Sequence, residues 1–157
     1  MTTRVLLALA AVSAFAGCAT GVRSASLGPG DLAAIETRTY DEDYNVVYAA
    51  AKKALQDAGY DIATSNRDAG VLSTGYRTEN MSDPAHATPF KSRTRASVNV
   101  ATSDEGTKVS ARWFWDISDS FGEWQDNGRN WPASDYRSRL SIYFDLVRQN
   151  VAAQPRR

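Results

Sequence analysis

No constellation of side chains in this sequence specifies a covalent reaction. It has one cysteine, Cys18, and one histidine, His86. A Cys/His zinc site needs about four ligands, or three and a water, so this pair cannot build one. His86 lies in a polar stretch between Pro84 and Pro89 with no nucleophile or orienting partner beside it, and reads as a solvated loop histidine. Asp116, Asp119, Glu123 and Asp126 gather in one loop region, where a hydrolase could keep an acid and a base. Their spacing does not match the alternating oxygen ligands and turn glycine of an EF-hand. The expectation is a protein with no catalytic residues, no metal and no cofactor.

Side chains suited to binding are more numerous. Phe121, Trp124 and Trp131 place three large aromatics on one loop, where they could stack on a glycan or anchor a partner, or fold back to cap the sheet. Arg93, Arg95, Lys108 and Arg112 share one parity of two β-prone runs, with Arg77 joining them if the run from Val71 to Thr78 is in register. Five cations on one sheet face could meet anionic headgroups, lipid A phosphates or an acidic partner, although solvated charge is the ordinary explanation on an open antiparallel face.

The elements that carry these residues follow from periodicity. Ile35 to Tyr40 alternates as a short strand, and Asp41 stands where a helix N-cap belongs. Tyr44, Val47, Ala51, Leu55 and Ala58 recur at helical spacing until Gly59 stops them. Tyr60 to Thr78 reads as a hairpin turning at Asn66 to Gly70, followed by a polar excursion from Glu79 to Pro89. Arg93 to Thr102 and Thr107 to Asp116 form a second hairpin around Asp104, Glu105 and Gly106, with Ala96, Val98, Val100, Val109, Ala111, Trp113 and Trp115 on one face. After a loop to Pro132, with Ser134 and Asp135 at its start, a helix carrying Tyr136, Leu140, Tyr143, Phe144, Val147 and Val151 runs to about Ala152. The order β-α-β-β-β-β-α predicts an α+β two-layer sandwich, an antiparallel sheet of about four to five strands under two helices.

At 157 residues one domain is expected, spanning 35–152. Eighteen basic and eighteen acidic side chains cancel, which argues against a dedicated nucleic-acid binder. Residues 153–157 read as a disordered tail, and 18–34, with Gly21, Ser24, Ser26, Gly28, Pro29 and Gly30, as a flexible tether.

Ahead of the tether, Arg4 and the apolar run Val5 to Val12 form a segment too short to span a bilayer. With Ala14, Phe15, Ala16, Gly17 and Cys18, residues 1–17 resemble the signal peptide and lipobox of bacterial lipoprotein precursors, with Phe15 in place of the usual Leu. That resemblance implies export, lipidation of Cys18 and cleavage before it; Ala19, which is not Asp, implies the outer membrane as destination. The same residues also fit an ordinary small-x-small cut after Ala16, leaving a soluble periplasmic protein.

From Ile35 to Ala152 the element order, Gly59-Tyr60-Asp61-Ile62 and the Asp68-Ala69-Gly70 turn resemble the helix-grip domains of BamC-like outer-membrane lipoproteins. The expected function is therefore a non-enzymatic outer-membrane lipoprotein, an adaptor or accessory subunit facing the periplasm in an envelope complex. A glycan or peptidoglycan binder using Phe121, Trp124 and Trp131 is the alternative.

Overall fold

The computed structural model describes residues 28–81, 90–118, 122–126 and 132–154. Cys18, His86, Asp119, Phe121 and Trp131, together with the leader and most of the expected tether, lie outside the described residues.

The fold is α+β, as the periodicity predicts, with an open antiparallel sheet of seven strands. Its axis is one hairpin, β5 (Phe90–Ser103) with β6 (Gly106–Ser118), in unbroken register from Ser92 opposite Ile117 to Ser103 opposite Gly106. Each outer edge of this hairpin carries two short strands end to end. Along β5 lie β3 (Val71–Thr74) and β4 (Arg77–Met81), and along β6 lie β1 (Thr37–Tyr40) and β7 (Trp124–Asp126). β2 (Ile62–Asn66) then pairs with β3 as a further edge.

Two helices, α2 (Tyr44–Asp57) and α3 (Ala133–Ala152), cover one face, and α1 (Pro29–Glu36) packs near the β1 edge. The core is what alternation predicts: Val47, Ala50, Ala51, Ala54 and Leu55 of α2 and Leu140, Tyr143 and Val147 of α3 meet Leu72, Ala96, Val98, Val100, Val109, Ala111 and Trp113 of the sheet. The alanines on α2 let α3 approach closely enough for the Tyr143 hydroxyl to donate to the Ala51 carbonyl at 3.4 Å. Towards the Phe90 end the interior turns polar, and each group has a partner. Trp113 Nε1 donates to Tyr60 Oη at 3.0 Å, Tyr60 Oη meets Thr94 Oγ1 at 2.8 Å, and Thr74 Oγ1 accepts the Ala96 amide at 2.8 Å.

Several expected boundaries move, each for a local reason. Residues 29–34, expected within the tether, belong to α1: Pro29 sits in the first turn, where its missing N–H costs nothing, and Ile35 and Glu36 are helical before the strand begins at Thr37. The cap of α2 is Asp43, whose Oδ1 accepts the Asn45 amide at 2.8 Å, so the first acid of the run, Asp41, does not cap. Pro132 stands at the N-cap of α3 with no side-chain cap bond, and Ser134 lies inside the helix. Val71 to Thr78 is not one strand. Leu72 and Thr74 face the helices, the chain slips by one residue at Gly75 and Tyr76, and Arg77, opposite Thr94, resumes on the helix face.

That slip creates a polar link between layers. Glu79, also on the helix face, accepts two bonds from Arg139 of α3, at 3.1 and 2.6 Å, and lies 3.4 Å from Arg77. The Arg139 hydrogen bonds hold the Glu79 carboxyl below its ordinary value of 4.5. A depressed folded-state pKa adds stability that is complete above the unfolded value and is lost as pH falls through the folded value. Glu79→Gln is therefore expected to lower stability by roughly 1–2 kcal/mol at neutral pH and to flatten the acid side of the unfolding profile below about pH 4.5. Urea unfolding across pH checks this, and an unchanged acid limb would contradict it. At the β2–β3 turn, Gly70 has φ +69°, and a Cβ there would lie 2.0 Å from the Val100 carbonyl oxygen. Gly70→Ala should cost roughly 2–4 kcal/mol in the same assay.

Candidate functional site

The helices leave the other face of the sheet uncovered by any described element, and the β5–β6 register decides what stands on it. Arg93 is opposite Asp116, Arg95 opposite Phe114, Ser97 opposite Arg112 and Ala101 opposite Lys108. The four cations expected on one face, Arg93, Arg95, Lys108 and Arg112, are therefore on one face. Arg77, expected with them, is not: the slip at Gly75 turns it to the helix side, where its guanidinium donates to the Ala58 carbonyl and lies 5.4 Å from the Tyr60 ring centre.

Guanidinium and aromatic groups alternate across this open face. The Arg93 guanidinium carbon is 4.4 Å from the Trp124 ring centre on one side and 3.9 Å from that of Tyr76 on the other. Arg95 follows, 5.6 Å from the Tyr76 ring centre and 4.1 Å from that of Phe114. The row therefore runs Trp124, Arg93, Tyr76, Arg95, Phe114, drawn from β7, β5, the β3–β4 slip and β6. A cation over an aromatic face is attracted by the ring quadrupole, and stacking fixes the guanidinium plane.

The two arginines differ in what remains available. Arg93 Nε donates to Asp116 Oδ2 at 2.9 Å, and the Asp116 side chain is only 9 % exposed. Arg95 Nε donates to Tyr76 Oη at 3.2 Å, and its two terminal nitrogens have no acceptor among the described residues. Tyr76 is itself 47 % exposed. The result is a flat, oriented fork of N–H groups at the surface, a geometry that matches the paired oxygens of a phosphate or carboxylate.

Arg112, at the border of the face, is engaged. It donates to Glu36 at 3.1 and 3.4 Å, and the same nearly buried carboxylate accepts the Tyr136 hydroxyl. Burial, and then Glu36, hold the Tyr136 phenol protonated far above the ordinary range. Glu36 thereby ties α1, β6 and α3 together, a structural role for one of the expected binding cations. Lys108, opposite Thr39 of β1, is exposed and has no ion pair among the described residues.

Of the acidic group, Asp116 and Asp126 are cross-strand neighbours on the open face. Asp116 is committed to Arg93, and among the described residues no cluster of His, Cys, Asp or Glu could hold a metal ion. Trp124 does not fold back into the core; β7 directs it outward against Arg93.

On the helix side, a cleft of about 470 Å³ opens between α3 and the β4 and β6 ends, lined in part by Tyr60, Trp113, Trp115, Arg77, Arg139 and Ile142. Its two guanidiniums already hold Glu79 and, for Arg77, the Ala58 carbonyl.

Sequence reasoning reached Arg93, Arg95 and Trp124 but missed Tyr76 and Phe114. Phe114 had a signal: the two-residue turn at Asp104 and Glu105 fixes the register that sets it opposite Arg95. Tyr76 had none, since only the slip turns it outward.

No family model matches this chain, and no curated protein matches it. Among solved structures, a DUF4468 family protein from Bacteroides ovatus is similar over 77 % of this chain and 87 % of its own, at 10 % identity and a TM-score of 0.44, a likeness too distant to bear on function.

Proposed function

We propose that this chain is a non-enzymatic outer-membrane lipoprotein, an accessory subunit anchored through Cys18, which docks an anionic envelope partner on its uncovered sheet face. The observation that carries the docking half is the row Trp124, Arg93, Tyr76, Arg95, Phe114, whose Arg95 fork points its terminal N–H groups at no acceptor among the described residues. Stacked guanidiniums lose little freedom on binding, and rigid aromatics beside them supply contact area at low entropic cost. The anchoring half rests on the lipobox resemblance at Cys18. Two or more acyl chains on one cysteine hold a protein stably in a bilayer, where one holds it only marginally.

The glycan-binding alternative keeps one observation in its favour, the half-exposed Trp124 ring on the open face. Indole fluorescence that shifts on adding purified peptidoglycan fragments, and does not shift in Trp124→Ala, would favour it over the anionic partner.

Two measurements test the main reading. The intact mass of the protein from its native membrane should equal residues 18–157 plus about three acyl chains, with the added mass absent in Cys18→Ser; an unmodified chain beginning at Gly17 would remove the anchor. Arg93→Glu, Arg95→Glu and Lys108→Glu combined should abolish its crosslinks to envelope components, and an unchanged crosslink pattern would overturn the docking surface.

A further inference from the structure

The sheet face and the point where the chain enters the domain lie at the same border. Arg112 stands on the open face and bonds Glu36, the last residue of α1. α1 is eight residues long, so Gly28 lies within about 12 Å of that carboxylate's backbone. From Gly28 back to Cys18 the chain can extend at most about 35 Å. A lipid on Cys18 would thus hold the border of this face within a short tether of the bilayer surface, where effective concentrations are in the millimolar range and weak contacts suffice.

The chemistry of the face suits that surface. Lys91, Arg93, Arg95, Lys108 and Arg112 stand on it against the carboxylates of Asp116 and Asp126, with Glu36 at its margin, so cations are in excess. Tyr76, Phe114 and Trp124 lie among them, and Val71 is 36 % exposed on the same face. Tyrosine and tryptophan, whose rings carry a polar edge, are with arginine and lysine the side chains that settle at the headgroup level of a bilayer.

We propose that the anionic partner is the phospholipid surface itself: the open sheet face lies on the leaflet that holds the anchor, with a headgroup phosphate taking the terminal N–H groups of Arg95. This rests on the reading that the face docks an anionic partner, and it directs the helical layer with its cleft away from the membrane.

The test uses the mature chain from residue 18 with Cys18→Ser, so that no acyl chain contributes, sedimented with phosphatidylglycerol-rich or pure phosphatidylcholine vesicles. Binding is expected with the anionic vesicles alone, weakening with salt. Arg95→Glu should reduce it by about tenfold or more, and Arg95→Lys, which keeps the charge and loses the fork, by less. Thermal unfolding of each variant separates lost binding from lost fold, and Lys108→Glu, an exposed change away from the stacked row, provides a second reading should Arg95→Glu unfold. No binding to the anionic vesicles, equal binding to both kinds, or full binding by folded Arg95→Glu and Lys108→Glu would each overturn the proposal. If vesicle binding fails while the charge-reversed face still loses its envelope crosslinks, the docking surface stands and its occupant is an acidic macromolecule.

Discussion

The structure depends on the register of one hairpin. The two-residue turn at Asp104 and Glu105 sets Ser103 opposite Gly106, and that pairing then dictates every neighbour down to Ser92 and Ile117. Because side chains alternate with period two, the same register sends Ala96, Val98, Val100, Val109, Ala111 and Trp113 to the helices and Arg93, Arg95, Phe114 and Asp116 to the open face. A slip of one residue would exchange the two sets, burying guanidiniums and exposing tryptophan. Gly106 guards the turn: with φ +125°, a Cβ there would stand 2.4 Å from the Tyr40 carbonyl oxygen.

Around this axis the two layers are joined by ionic links as well as apolar packing. Glu36 ties α1 and α3 to β6 through Arg112 and Tyr136, and Glu79 ties β4 to α3 through Arg139. Breaking one partner of such a partly buried pair strands the other, so each link helps specify which elements meet. These pairings also separate the cations by role. Arg77, Arg112 and Arg139 serve the fold, Arg93 buttresses the row through Asp116, and Arg95 and Lys108 face outward.

Much of this was legible in the residues. The class of fold, the apolar stripes of α2 and α3, the stop at Gly59 and the central hairpin all follow from period and turn chemistry, because there local preference and tertiary packing agree. The misplaced features depend on contacts that no local pattern encodes. α1 has no apolar periodicity to announce it, and β4 and β7 are short edges that exist because the long strands β5 and β6 offer them partners. The turning of Arg77 inward and Tyr76 outward follows from a one-residue slip, which alternation read through Val71 to Thr78 cannot reveal. Of the stacked row, then, the arginines and Trp124 could be named from sequence, while their assembly with Tyr76 and Phe114 could not.

The central claim is that the sheet face, and not the helical layer, is the working surface of this protein. Site-specific photocrosslinking in intact cells tests it most directly, with a photoreactive residue at Ser97, beside Arg95 on the open face, or at Ile142, 57 % exposed on α3. Adducts to an envelope lipid or protein from position 97 and none from position 142 are the expected result. Adducts confined to position 142 would contradict the account and move the working surface to the cleft side of α3.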